Sequence, residues 1–183
     1  MLKIILIALA CIVILILIVA AMRPSQSNVT RSVIIDAPPS VVFPHVADLE
    51  KFQEWSPWGK VDPTIKTQLD GPPDAVGSVY SWQADKLGVG SMTLTGKHPV
   101  EEVTYRLEFK KPFEATNQVT FTTKPVGSGT SVVWHMSGKN SYLFKVMGLF
   151  CNFEEMCGKD FDKGLADLKK LSEKANPLTT QQP

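Results

Sequence analysis

Two patterns of apolar and polar positions divide this chain. From Ile4 to Met22 every residue is Ile, Leu, Val, Ala, Cys or Met, with no charge, Gly or Pro. At about 1.5 Å per residue a helix over this run crosses a hydrocarbon layer roughly 30 Å thick, with Lys3 and Arg23 at its ends. Every face of such a helix is apolar, which argues against a core element. The pattern predicts a transmembrane anchor over 1–23 and a short polar tether over 24–28. A cleavable signal peptide is the main alternative, with Val19-Ala20-Ala21 as the small-residue site, although the apolar run exceeds the usual roughly 7 to 15 residues. A lipid-anchored Cys11 is a weaker one, because the apolar segment ahead of it is very short.

Beyond the tether the pattern becomes that of a globular domain over 29–175. Val29 to Ile35 is mostly β-branched and stops at Asp36-Ala37-Pro38-Pro39, where a proline pair cannot continue a ladder, so a strand ends there. Val41, Val42, Val46 and Leu49 then share one face of a short helix, which Pro44 limits to about two turns. Phe52, Trp55 and Trp58 follow at a spacing of three and close a second short helix. Gly71-Pro72-Pro73-Asp74 is a turn between strands at Thr64–Leu69 and Val76–Gln83.

Alternation with a period of two continues from there. Tyr80 and Trp82, Met92 and Leu94, then Val103, Tyr105, Leu107 and Phe109 fall on one face, with Thr104, Arg106 and Glu108 on the other. Val119 and Phe121, and Val132, Trp134 and Met136, extend it across a hairpin at Gly127-Ser128-Gly129. An antiparallel meander with one apolar face needs a cover. The candidate is the last segment, where Phe150, Phe153, Met156, Phe161, Leu165, Leu168 and Leu171 recur at helical spacing. Gly148, Gly158 and Gly164 within it point to a bend or a close approach to the sheet. Asn176-Pro177 ends this helix, leaving 176–183 as a disordered tail.

With 19 basic against 18 acidic residues and no basic run, the chain lacks the concentrated positive charge that phosphate binding needs, so nucleic acid is not an expected partner. Cys151 and Cys157, six positions apart on the predicted helix, point in different directions, and no CxxC metal pattern exists. Basic residues flank the apolar run on both sides, so the positive-inside rule selects neither orientation. The habit of short N-terminal anchors to start in the cytoplasm favours a single-pass protein of the plasma or inner membrane, its soluble domain on the non-cytoplasmic side.

The element order, together with Ala37-Pro38, Val41, Phe43, Asp48, Phe52 and the WSPW at 55–58, resembles the START-related superfamily known as SRPBCC, in its polyketide cyclase/dehydrase branch. Gly77 before Tyr80 and Trp82, Gly129-Thr130 before Val132 and Trp134, and Phe161, Gly164-Leu165 and Leu168-Lys169 extend the resemblance over roughly 29–173. It implies an α+β helix-grip fold: a curved antiparallel sheet of about seven strands wrapped on a long C-terminal helix, here with one N-terminal transmembrane helix. It also implies an apolar cavity between sheet and helix. Strand alternation then nominates Tyr80, Trp82, Leu94, Tyr105, Leu107, Phe121, Trp134 and Met136 as its sheet wall and Phe150, Phe153 and Phe161 as its helix wall, with Trp55 and Trp58 at the mouth.

Such a wall suits a hydrophobic small molecule or lipid, of isoprenoid or quinone type for example, and calls for no cofactor or metal. The alternative is that these rings fill one another's space. A cyclase or dehydrase acting on an apolar substrate would need an ionisable group inside the cavity. His135 alternates outward and His45 sits on a short helix, leaving His98, which shares the parity of Met92 and Leu94, as the best of three weak candidates. No Ser/His/Asp order, metal cluster or phosphate loop stands in the chain. A protein-interaction module, like the chaperone activators among these relatives, is the third possibility.

Overall fold

The computed structural model describes residues 1–62 and 64–176, with the side chain of Lys60 left out. The apolar run forms a helix, α1 (Leu2–Ala21), and Leu2–Met22 is long and apolar enough to cross a membrane, a test that a signal sequence also passes. Strand β1 follows at once (Gln26–Ile35), three residues earlier than Val29, because its first residues pair with β7 (Gly129–Lys139) from Gln26↔Lys139 onwards. The expected tether is thereby reduced to a few residues.

The proline pair starts α2 (Pro39–Ala47), which contains Pro44 and runs for nine residues. Asp48 caps α3 (Leu49–Trp55) by accepting from the backbone N–H groups of Glu50 and Lys51. After a 3-10 turn at Trp58–Lys60 come β2 (Lys66–Asp70), β3 (Val79–Ala84), β4 (Gly88–His98), β5 (Glu102–Lys111) and β6 (Ala115–Val126), then β7 across a tight turn at Gly127-Ser128. All neighbours are antiparallel, in the order β1-β7-β6-β5-β4-β3-β2.

The expected C-terminal helix is two helices. A short α4 (Tyr142–Met147) is capped by Ser141 and ends at Gly148, and α5 (Phe153–Lys174) begins only where the Asn152 side chain accepts from the Glu155 N–H. Phe150 and Cys151 therefore lie in the linker between helices, not on the long helix where spacing alone put them. α5 lies across the sheet, with Phe161, Leu165 and Leu168 buried in the core. It packs tightly at Gly164, where a Cβ would stand 3.0 Å from the Trp134 ring and 3.2 Å from Pro57. Asn176 is packed onto the domain, its side-chain amide donating to the Asp36 carbonyl at 2.8 Å, and the rest of the expected tail lies outside the described residues.

This is the helix-grip arrangement: a curved seven-stranded antiparallel sheet holding a long C-terminal helix, with one apolar helix at the N-terminus.

Candidate functional site

The inner face of the sheet is divided in two. On β5, Val103 and Tyr105 are fully buried in the core, while Leu107 and Phe109, further along the same face, line an open cavity. The division repeats on every neighbour. Leu94 on β4, Phe121 on β6 and Val132 on β7 lie off the cavity, while Met92, Val119, Trp134 and Met136 line it, the first three of these as buried core residues at its edge.

The reason is where α2 and α3 lie. Their apolar faces (Val42, Val46, Leu49, Phe52, Trp55) fill the half of the sheet that carries the β4–β5 and β6–β7 turns. One buried polar contact ties α2 to the sheet and a part-buried one ties α3 to α2. Tyr105 Oη donates to the Val46 carbonyl at 2.6 Å, and Trp55 Nε1 donates to the His45 carbonyl at 2.8 Å. Burial, reinforced by the charge of Asp48, pushes the Tyr105 phenol far above its ordinary range, so it stays a neutral donor.

Where α2 and α3 stop, none of the described residues takes their place. The result is a cavity of about 1170 Å³. Its wall combines Trp58, Tyr80, Trp82 and Leu107 with Phe144 from α4 and Phe153 and Phe161 from α5. Aromatic contacts brace it: Trp134 stacks on Phe161 with centroids 3.9 Å apart and planes 6° from parallel, Trp58 meets Trp134 edge-on at 5.7 Å, and Phe144 meets Phe153 at 5.8 Å. The Trp134 indole N–H is buried without a hydrogen-bond partner among the described residues.

Of the residues nominated from sequence, Trp58, Tyr80, Trp82, Leu107, Trp134, Met136, Phe150, Phe153 and Phe161 are on the cavity wall. Trp55, Leu94, Tyr105 and Phe121 are not; they face the same side of the sheet but are sealed into the core under α2 and α3. Alternation identifies a face and says nothing of how far along it a helix lies. Sequence reasoning missed Phe113, Phe144 and Met147, although the run Tyr142–Met147 after a capping serine was a legible helix signal.

The charged groups on the wall are Arg23, Lys86, Lys111, Lys139, Lys145 and Glu154, and no histidine lines it. His98 is exposed, because a bulge between Leu94 and Gly96 shifts the register so that Lys97 pairs with Val103 and His98 with Glu102, reversing the parity that had placed it inward. His135 lies on the outer face and His45 on α2; neither lines the cavity. Burial lowers the His45 imidazole below its ordinary value. On the wall itself, burial and then the nearby Asp160 raise the Cys157 thiol, keeping it protonated and a poor nucleophile. Among the described residues no group of His, Cys, Asp or Glu is arranged to hold a metal ion.

The floor near β3 is fixed by Asp62. Its carboxylate accepts from the Thr64 hydroxyl at 2.6 Å and from the Lys86 N–H at 2.6 Å, and these bonds lower it to about 2. The loop carrying Trp58 is thereby tied to the β3–β4 turn.

Solved structures share this fold at low identity. A protein from Thermobifida fusca matches with a TM-score of 0.62 at 20% identity, over 80% of this chain and 93% of its own. The Aha1 dimer from Colwellia psychrerythraea matches with a TM-score of 0.58 at 17% identity, over 80% of this chain and 96% of its own. DynU16, from the dynemicin biosynthetic locus, gives 0.56 at 16% identity, with 85% of this chain covering 49% of it. No curated protein matches the sequence. The family model for polyketide cyclase/dehydrase and lipid transport proteins matches residues 26–173, from the start of β1 almost to the end of α5, and the chain belongs to that family.

Proposed function

We propose that this protein is a membrane-tethered binding module that holds a hydrophobic small molecule, of lipid, isoprenoid or quinone type, in the cavity between the sheet and α5. The observation that carries this reading is the asymmetry of the core: one half of the inner face is packed solid, and the other encloses about 1170 Å³ behind aromatic and aliphatic walls. That volume exceeds the usual range for small-molecule sites, roughly 300–1,000 Å³, and its wall joins apolar side chains, which bind through buried area, to six charged residues. The family supports the ligand class, since lipid transport is part of its description.

α1 acts as the tether. It is exposed along nearly its whole length, as a helix dissolved in lipid is, and a carrier held beside the bilayer meets its ligand at high effective concentration. The soluble domain lies on the non-cytoplasmic side, which a topology reporter fused after Pro183 tests. The binding reading is tested by titrating the full chain in detergent with fluorescent fatty acids and prenyl probes. Saturable emission enhancement, competed by unlabelled apolar compounds, is expected; absence of uptake across the panel would count decisively against it.

A further inference from the structure

The half of the sheet that α2 and α3 leave open is the half at which α1 enters the domain, since Gln26 and Ser27 at the start of β1 line the cavity. α4 packs against the last turns of α1, and Tyr142 Oη donates to the Leu17 carbonyl at 2.7 Å. Leu17 lies four residues before the end of α1, about 6 Å along its axis. With α1 across a bilayer, this bond sets Tyr142 at the depth of the lipid–water interface, where its amphipathic ring is favoured. Arg23 Nη1 donates to the Gly148 carbonyl at 2.5 Å and the Asn140 N–H to the Ser25 carbonyl at 2.9 Å, so the segment around α4 is fixed to α1 at both ends.

That segment and the neighbouring β5–β6 loop expose apolar side chains at the cavity mouth. α4 has no buried residue, Phe150 is 73% exposed, Leu143 46% and Phe113 43%. The charged groups on the cavity wall are five basic residues (Arg23, Lys86, Lys111, Lys139 and Lys145) and one carboxylate, Glu154. Apolar side chains beside basic ones are what an interfacial lipid-binding surface presents.

We propose that α4, Phe150 and Phe113 form a rim that dips into the bilayer holding α1, with Arg23 and Lys145 against anionic headgroups, so that the cavity mouth opens onto lipid. An apolar ligand then passes between bilayer and cavity without crossing water. The inference rests on the reading of α1 as a membrane anchor.

The test uses the full chain in phosphatidylcholine/phosphatidylglycerol vesicles, with Cys11→Ser and Cys157→Ser leaving Cys151, exposed and next to Phe150, as the one thiol to carry an environment-sensitive fluorophore. A second variant moves the label to Ser128 (Ser128→Cys with all three native cysteines replaced), in the exposed turn at the opposite end of the sheet. Spin-labelled lipids should quench the Cys151 label several-fold more strongly than the Ser128 label. Leu143→Asp with Phe150→Asp, both at exposed positions, should remove most of that difference. Equal, weak quenching at the two sites in a chain that resists alkaline extraction would overturn the rim while leaving the anchor and the cavity standing. Extraction of the chain by alkali would overturn both. A disulfide-linked dimer through an unlabelled Cys151 would place a second copy on this face and overturn the lipid assignment.

Discussion

Replacing Tyr105 by Phe separates the core half of the sheet from the cavity half. The phenol donates at 2.6 Å to the Val46 carbonyl, in the last turn of α2, where helix geometry leaves carbonyls short of partners. Deleting the hydroxyl leaves that carbonyl buried and unsatisfied, a cost of about 1–3 kcal/mol. No compensating gain is in view, because the remaining ring keeps its packing against Phe121. For a chain of this size each kcal/mol lowers Tm by roughly 2–4 °C, so a drop on the order of 5 °C is expected by circular dichroism. Probe binding to the folded variant should be unchanged, since Tyr105 is fully buried and off the cavity wall. A variant with unaltered Tm and lost binding would refute the division of the sheet, and with it the exclusion of Tyr105 from the site.

Three further outcomes follow from the same geometry. Met136→Trp puts an indole into the open cavity and should weaken uptake of long-chain probes with little change in Tm, as measured on one preparation. Gly164→Val forces side-chain atoms into the contact with Trp134 and Pro57 and should cost about 1–3 kcal/mol in urea unfolding, by overpacking. Because burial lowers the His45 imidazole, the unfolded chain takes up a proton first as pH falls through about 6.5. The contribution of His45 is therefore complete above that pH, decreases below it and levels off beneath the folded-state value. A urea midpoint that falls less between pH 7.5 and 5.5 in His45→Gln than in the parent chain checks the sign.

The antiparallel sheet and its inner face were legible because alternation is a direct consequence of the pleat, and Val103 to Phe109 or Val132 to Met136 carry it cleanly. The site was only half legible for a related reason. Trp55, Leu94, Tyr105 and Phe121 share the parity of Trp58, Met92, Leu107 and Val119, and only the position of α2 and α3 along the strands separates the two sets. His98 was misplaced by one extra residue in β4, since a bulge inverts every side chain beyond it and leaves no pattern in the sequence. The break between α4 and α5 had a local signature, Gly148 followed by Asn152 as a cap, which helical spacing through Phe150 and Phe153 overrode. Phe113, Phe144 and Met147 come from a loop and a short helix, where periodicity has too few residues to register.

The central claim is that an apolar molecule occupies the space between sheet and α5. Native mass spectrometry of the full chain released from its own membranes tests it most directly. A bound apolar species is expected on the parent chain and in lower amount on Met136→Trp. A parent chain that carries no such adduct, and acquires none from an added lipid extract, would contradict it.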